Sequence, residues 1–271
     1  MEESYFVNEW SSFKWRTTAE LELLWDARAD SFAARSHQKS KNDEEILSFF
    51  QSKKLDITGL NILDLGCGPG RHSVLFAKNG AAHVTGLDIS SRMIGHCQKL
   101  AQAEGTKNTE FHACAWEDFD VDKNGWMSKF DLTFSSLSPA MSTVESLDKF
   151  LAVSRKYCYL SGFATRGDSV HDYLVNSLGR APGSRQEYNV YYIFNILWLR
   201  GIKADVDYKD IISEKELSLD EACAIYGDHA PSHKKIDAST DEIRDSLKKI
   251  TDKGIVKATE HKKIMTLFWT L

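Results

Sequence analysis

The chain has 271 residues, 42% of them hydrophobic and 27% charged, with a formal net charge of −5. That length can bury a sizeable core in one large or two small domains, and the balance is that of an ordinary globular protein. Net acidity argues against a broad nucleic-acid surface, though not against a local basic groove. The most apolar run, Tyr191 to Leu199, is too short to span a bilayer and is interrupted by Asn195. Five scattered cysteines contain no Cys-x-x-Cys pair. They fit a reducing cytoplasm rather than a disulfide framework or a metal centre. The start, Met-Glu-Glu-Ser, lacks a basic region followed by an apolar run, so no signal peptide is expected.

Residues 1–58 read as helical. Thr18 to Arg28 combines a start signal with good helix formers. Glu44 to Lys53 gathers Ile46, Leu47, Phe49 and Phe50 on one side. Trp10, Trp15, Trp25 and Phe32 give this segment a heavy aromatic load, suited to packing on a sheet or to capping a site.

From 59 to 163 strands and helices alternate. Strands are expected at 61–65, 82–87, 108–113, 130–136 and 156–163, and helices at 71–79, 91–104 and 143–154. Short links between them imply a doubly wound, mostly parallel sheet with helices on both faces. The strand from Phe130 is apolar enough for the centre of that sheet. Beyond 163, Glu187 to Gly201 reads as an aromatic-rich helix ended by Gly201. Ala204 to Ile212 alternates as a strand. Ser218 to Tyr226 opens with a capping-box pattern. Asp241 to Thr251 is a charged helix, and His261 to Leu271 a final strand, which makes seven. The expected organisation is one α/β domain over 1–271. It has an N-terminal helical cap (1–58), a core (59–163), and a lid with the last strands (164–271).

Residues 62–71 are Ile-Leu-Asp-Leu-Gly-Cys-Gly-Pro-Gly-Arg. A buried strand here opens into Gly66, Gly68 and Gly70 and then into a helix. Glycines at such a junction let backbone pass close to a ligand, and free amides at the helix start favour a polar or anionic group. The spacing Gly-x-Gly-x-Gly is one residue shorter than the dinucleotide fingerprint. Asp88, at the end of the next strand, stands 18 positions after Gly70. An acid there can accept hydrogen bonds from both hydroxyls of a ribose.

The pair Leu-Asp-Leu-Gly-Cys-Gly-Pro-Gly-Arg and Gly-Leu-Asp-Ile-Ser-Ser-Arg-Met-Ile resembles the class I (Rossmann-like) S-adenosylmethionine-dependent methyltransferases of small-molecule type. The likeness is concentrated in residues 59–136. It implies an S-adenosyl-L-methionine site with Gly66, Cys67, Gly68 and Gly70 under the amino-acid part. Asp64 would order this loop or meet the ammonium group, directly or through water, because a buried carboxylate without partners is costly. Asp88 would take the ribose and Ile89 would pack on the adenine. Family members often carry an acid where this chain has Cys114. That departure leaves Ala115, Trp116 and Glu117 (or Asp118) for the adenine. An antiparallel edge at the far end of the sheet is also implied. The stretch from Trp25 to Phe32 is similar to the N-terminal segment of many small-molecule methyltransferases and would cover the methionine end.

Ser135 and Ser136 end the fourth strand and Ser138 follows it, where the methyl acceptor should approach; Ser135 also counts among the expected cofactor contacts. Ser138-Pro139 begins like the motif of enzymes that methylate base or glutamine amino groups. Ala140 and Met141 break it, so that chemistry is not supported. If the acceptor must lose a proton, His171, Tyr188, Tyr191 and Tyr192 are candidate bases, and Arg166 and Arg185 could hold an anionic substrate. The lysines of 234–263 are interspersed with acids and read as a solvated face. The resulting expectation is a cytoplasmic transferase moving a methyl group to a small molecule, without a nucleic-acid or membrane partner. The rivals are an RNA or protein methyltransferase, a nicotinamide-dependent oxidoreductase, and a non-catalytic S-adenosylmethionine-binding regulator.

Overall fold

The structure, a computed structural model, describes residues 2–13, 16–36, 41–180, 189–227 and 236–271. In chain order the elements are α1 (Glu3–Ser11), α2 (Thr18–Ser36), α3 (Lys41–Ser52), β1 (Asn61–Leu65), α4 (Arg71–Lys78), β2 (His83–Asp88), α5 (Ser91–Ala103), β3 (Thr109–Ala113), β4 (Phe130–Ser136), α6 (Val144–Val153), β5 (Ser154–Asp168), α7 (Ser169–Ser177), α8 (Asn189–Leu199), β6 (Asp205–Ser218), α9 (Leu219–Tyr226), α10 (Thr240–Lys248) and β7 (Ile255–Thr270). Trp15, Arg185 and Tyr188 lie outside the described residues.

Seven strands make one sheet in the order β3-β2-β1-β4-β5-β7-β6. β1 runs parallel to β2 and β4, β2 to β3, and β4 to β5. The chain therefore winds outward from β1 to β3 and returns to β4 on the other side of β1. Neighbouring strands that wind away from each other leave a crevice beyond their carboxyl ends, where α/β sheets seat ligands. β4 is the central strand, and its apolar residues Phe130, Leu132 and Phe134 are buried. Strands covered on both faces need such near-continuous apolar runs.

Contacts divide the chain into two compact units: Met1–Ser161 with Tyr192–Val206 and Thr266–Leu271, and Gly162–Tyr191 with Asp207–Met265. The first has a core of Ile62, Phe76, Val84, Leu132, Phe134 and Tyr159, joined by Phe50 of α3. Trp10 and Phe50 are fully buried, whereas Trp25 and Phe32 of α2 are half-buried. The N-terminal aromatics thus divide between core and wall. The second unit packs Val170, Leu174, Tyr226, Ile243, Leu247 and Val256 from α7, α9, α10 and β7. The capping box expected at Ser218 is present: its hydroxyl accepts from Glu221 N, and the Glu221 carboxylate accepts from Ser218 N.

Helix α7 was not expected. Its start is fixed by Asp168, whose carboxylate accepts from Val170 N and His171 N. Strands β5, β6 and β7 are also longer than the sequence suggested, because each continues into the second unit. β6 is the last strand of the sheet and is exposed along most of its length. Its run of Asp, Lys and Glu suits an edge; the alternation read over 204–212 is lost beyond Ile212, where the strand continues to Ser218. Among the described residues no helix is long and apolar enough to cross a membrane.

Candidate active site

The loop after β1 is held by its own backbone. Gly66 N and Cys67 N both donate to Leu87 O, at 2.7 and 3.1 Å, which folds the loop against the end of β2. Gly66, Gly68 and Gly70 all have positive φ, at +70°, +54° and +86°. These are conformations that side chains resist. Gly66 also faces a close neighbour: a Cβ there would stand 1.8 Å from Ser138 Oγ and 2.5 Å from Ser138 Cβ. A Cβ on Gly68 would meet nothing within 4 Å among the described residues, so the space beside it is open.

A cavity of about 270 Å³ lies over this loop. Its wall takes Gly66, Cys67 and Gly68 from the loop, Asp88 and Ile89 from the end of β2, and Cys114, Trp116 and Glu117 from the segment after β3. Ser136 to Ala140 close it beyond β4, and Leu21, Trp25 and Phe32 face it from α2. Gly66, Cys67, Gly68, Asp88, Ile89, Trp116 and Glu117 are thus brought together. Asp64, Gly70, Ala115 and Ser135 stand behind the wall. Asp64 accepts from Ser73 Oγ at 2.6 Å, Gly70 precedes α4 against Cys97, and Ser135 Oγ donates to Leu65 O at 3.0 Å. Asp118 is exposed and does not line the cavity.

Asp88 is tied down but not used up. Its Oδ2 accepts from Gly68 N and its Oδ1 from Ser90 N, each at 2.9 Å. A carboxylate has about four acceptor positions, so two remain for a ligand. Burial pushes its carboxyl above the ordinary value; the two amides oppose this and the charge of Asp26 adds to it. The segment after β3 is braced by residues the sequence did not single out. Lys149 Nζ on α6 donates to the carbonyls of Trp116, Glu117 and Phe119 at 3.1, 2.7 and 3.0 Å. Trp116 Nε1 donates to Ser146 O, and Glu117 accepts from Ser142 Oγ.

Arg71, His72 and Leu137 also line the cavity without having been foreseen. The first two occupy the first turn of α4, directly after the glycines. That position was the available signal, since a first helical turn faces whatever the loop holds. Leu137 has φ +53°, a strained conformation of the kind that collects at functional sites. Of the candidate bases, His171 lies in the second unit beside Asp172. Tyr192 meets Phe13 edge-on at 5.7 Å and does not line the cavity. Tyr191 is exposed, and Arg166 stacks over Phe163 within the second unit.

Burial pushes the Asp64 carboxyl up to about 7; the Ser73 hydroxyl opposes this and the Asp88 charge adds to it. In the unfolded chain the same group titrates at about 3.9, the model-peptide value. The resulting stability is full below that pH and is lost as pH rises through about 7. An asparagine at this position would keep an acceptor for Ser73 and carry no charge. Asp64→Asn is therefore expected to be more stable than the native chain at pH 8, by on the order of 2–4 kcal/mol. The gain should shrink toward pH 5. Urea unfolding at both pH values checks this, and an equal difference at both would contradict it.

Residues 57–164 match the family described as a methyltransferase domain. An uncharacterised protein of Haemophilus influenzae is 25% identical over 73% of this chain and 75% of its own. The ubiquinone biosynthesis O-methyltransferase of Aromatoleum aromaticum is 34% identical over 28% of this chain and 30% of its own. The 23S rRNA (uracil(1939)-C(5))-methyltransferase of Hahella chejuensis is 34% identical over 34% of this chain and 21% of its own. The chain thus spans less than a third of the length of either named enzyme. Among solved structures, magnesium protoporphyrin IX methyltransferase of Synechocystis with bound S-adenosylhomocysteine superposes with a TM-score of 0.54 at 13% identity, over 92% of this chain and 98% of that one. At that identity the likeness concerns the fold.

Proposed function

We propose that the chain carries a class I S-adenosylmethionine-dependent methyltransferase domain, a reading that the methyltransferase-domain match over residues 57–164 supports, and that it moves a methyl group from S-adenosylmethionine to a small molecule. The residues present fit the cofactor. The space beside Gly68 is open to it, Asp88 has free acceptor positions for a ribose, and Ile89 and Trp116 offer apolar surface for adenine. The cofactor supplies the reactive methyl on a sulfonium. The protein's work is then to align the acceptor, exclude water and steady the changing charge. Five free cysteines suit a reducing compartment, and we place this work in the cytoplasm.

The observation that carries the small-molecule reading is the far wall of the cavity. Beside the glycine loop it is made of Leu21, Trp25 and Phe32 from α2 and the strained turn at Leu137. Apolar and aromatic walls with few polar groups are the usual lining of a small-ligand pocket. They also suit a planar or cationic acceptor. A net charge of −5 weighs against RNA, the acceptor of one of the relatives.

The test offers S-adenosylmethionine labelled in its methyl group together with cell extract divided into low-mass solutes, RNA and protein. Label should pass to the low-mass fraction. Label in RNA or protein would overturn the choice of acceptor, and tight cofactor binding with no transfer to any fraction would favour the regulator.

A further inference from the structure

Helix α2 is fastened to the start of α5 by two carboxylates one turn apart. Asp26 Oδ1 accepts from Ser90 Oγ at 2.5 Å and from Arg92 N at 3.3 Å. Asp30 accepts from Arg92 Nη2 at 2.7 Å and meets His96 Nε2 at 2.9 Å. The second pair is exposed, and such pairs contribute little. The first differs. Ser90 is fully buried and caps α5, its hydroxyl accepting from Met93 N at 3.1 Å. Its own N–H donates to Asp88 Oδ1, and Asp88 Oδ2 accepts from Gly68 N. A continuous hydrogen-bonded chain therefore runs from α2 through Ser90 and Asp88 to the glycine loop.

The same helix turns Leu21, Trp25 and Phe32 to the cavity. Residues four and eleven positions apart fall on one stripe of a helix, and Asp26 lies beside that stripe. Trp25 carries a second mark: its Nε1 is buried without a hydrogen-bond partner among the described residues. Orphaned groups of this kind are rare in finished cores and call for an explanation.

We propose that Asp26 is a positioning residue that couples the seating of α2 over the cavity to the seating of the cofactor's ribose on Asp88. The proposal rests on the cofactor reading of the preceding section. Its physical basis is shared geometry. Ser90 holds the Asp88 carboxylate through its N–H and meets Asp26 through its hydroxyl, so Asp26 and the α5 cap together fix the residue from which Asp88 is oriented. Ribose hydroxyls that fix Asp88 in turn fix Ser90, and through it α2. Each event lowers the ordering that the other requires, which is positive coupling between two parts of one site.

The test measures S-adenosylhomocysteine binding by calorimetry for the native chain, Asp26→Ala, Asp26→Asn, Ser90→Ala and the Asp26→Ala/Ser90→Ala pair. Amide hydrogen exchange across α2 is followed with and without the ligand, and thermal unfolding verifies that each variant folds. Asp26→Ala should weaken binding about tenfold, the loss of one partly buried charge-assisted hydrogen bond. Asp26→Asn keeps an acceptor oxygen and should restore most of that affinity. The double variant should bind no worse than the weaker single variant, because both substitutions break one link. The ligand should slow exchange in α2 of the native chain and of Asp26→Asn, but not of Asp26→Ala. Unchanged affinity in Asp26→Ala, or independent losses that multiply in the double variant, would overturn the coupling while leaving the cofactor reading in place. A native chain that does not bind the ligand would overturn both.

Discussion

Asp88→Ala is expected to weaken S-adenosylhomocysteine binding at least about tenfold while the chain still folds. The two halves of this result have one cause. Asp88 keeps two acceptor positions beyond those taken by Gly68 N and Ser90 N. Hydrogen bonds from ribose hydroxyls to a carboxylate are charge-assisted, worth roughly 1.5–3 kcal/mol each. The same carboxylate is an expense to the empty protein. Its burial, with Asp26 nearby, pushes it above the usual carboxylate value. A group with a raised folded pKa contributes stability at low pH and loses it as pH rises, so relief of its charge at neutral pH offsets part of the cost of leaving Gly68 N and Ser90 N without their acceptor. Binding should respond to pH in the opposite sense. The ribose needs the ionised carboxylate, so affinity should fall as pH is lowered through the raised pKa. Calorimetry over a pH series, with thermal unfolding in parallel, reads both. Native affinity in a folded Asp88→Ala would remove this residue from the site.

The second large effect is a contrast between two glycines. Gly66→Ala is expected to destabilise the chain by about 2–5 kcal/mol and to abolish binding, the sum of left-handed strain and overpacking. The new Cβ would fall 2.5 Å from Ser138 Cβ, and a Cβ cannot swing aside as a side-chain tip can. The turn from Ser136 to Ala140 would have to shift. Gly68→Ala carries only the strain of its φ, about 1–2 kcal/mol, because no described residue lies within 4 Å of the added atom. The methyl would nonetheless stand in the space the cofactor needs. Gly68→Ala should therefore fold well and bind poorly, whereas Gly66→Ala should do neither well. Similar stability losses in the two variants would contradict this account of the loop.

The first half of the chain was legible because its signals have few other causes. Three glycines with positive φ between a buried strand and a helix, followed by an acid at the end of the next strand, leave little besides a ligand loop. The walls were harder to read, and strands explain part of the difficulty. Successive residues point to opposite faces, so an error of one position exchanges wall for interior. Ser136 lines the cavity while Ser135 bonds to Leu65 O. Cys114 and Trp116 line it while Ala115 does not. Lys149 could not be found from spacing, since it reaches the loop after β3 only by tertiary packing of α6. Gly86 was passed over as an ordinary strand residue, yet a Cβ there would meet Phe111 at 2.7 Å. Its lack of a side chain leaves room for the Phe111 ring and for Cys67 Sγ. The second unit was the least legible. The charged stretch beyond Ile212 hides the second half of β6, and α7 follows β5 without a break, marked only by the Asp168 cap.

A crystal structure of the chain with S-adenosylhomocysteine bound tests the central claim most directly. The account predicts both ribose hydroxyls on the Asp88 carboxylate, the adenine against Ile89 and Trp116, and the sulfur facing a closed space between Trp25, Phe32 and the turn at Leu137. A ligand whose ribose lies away from Asp88, or whose sulfur faces an open basic groove, would contradict it.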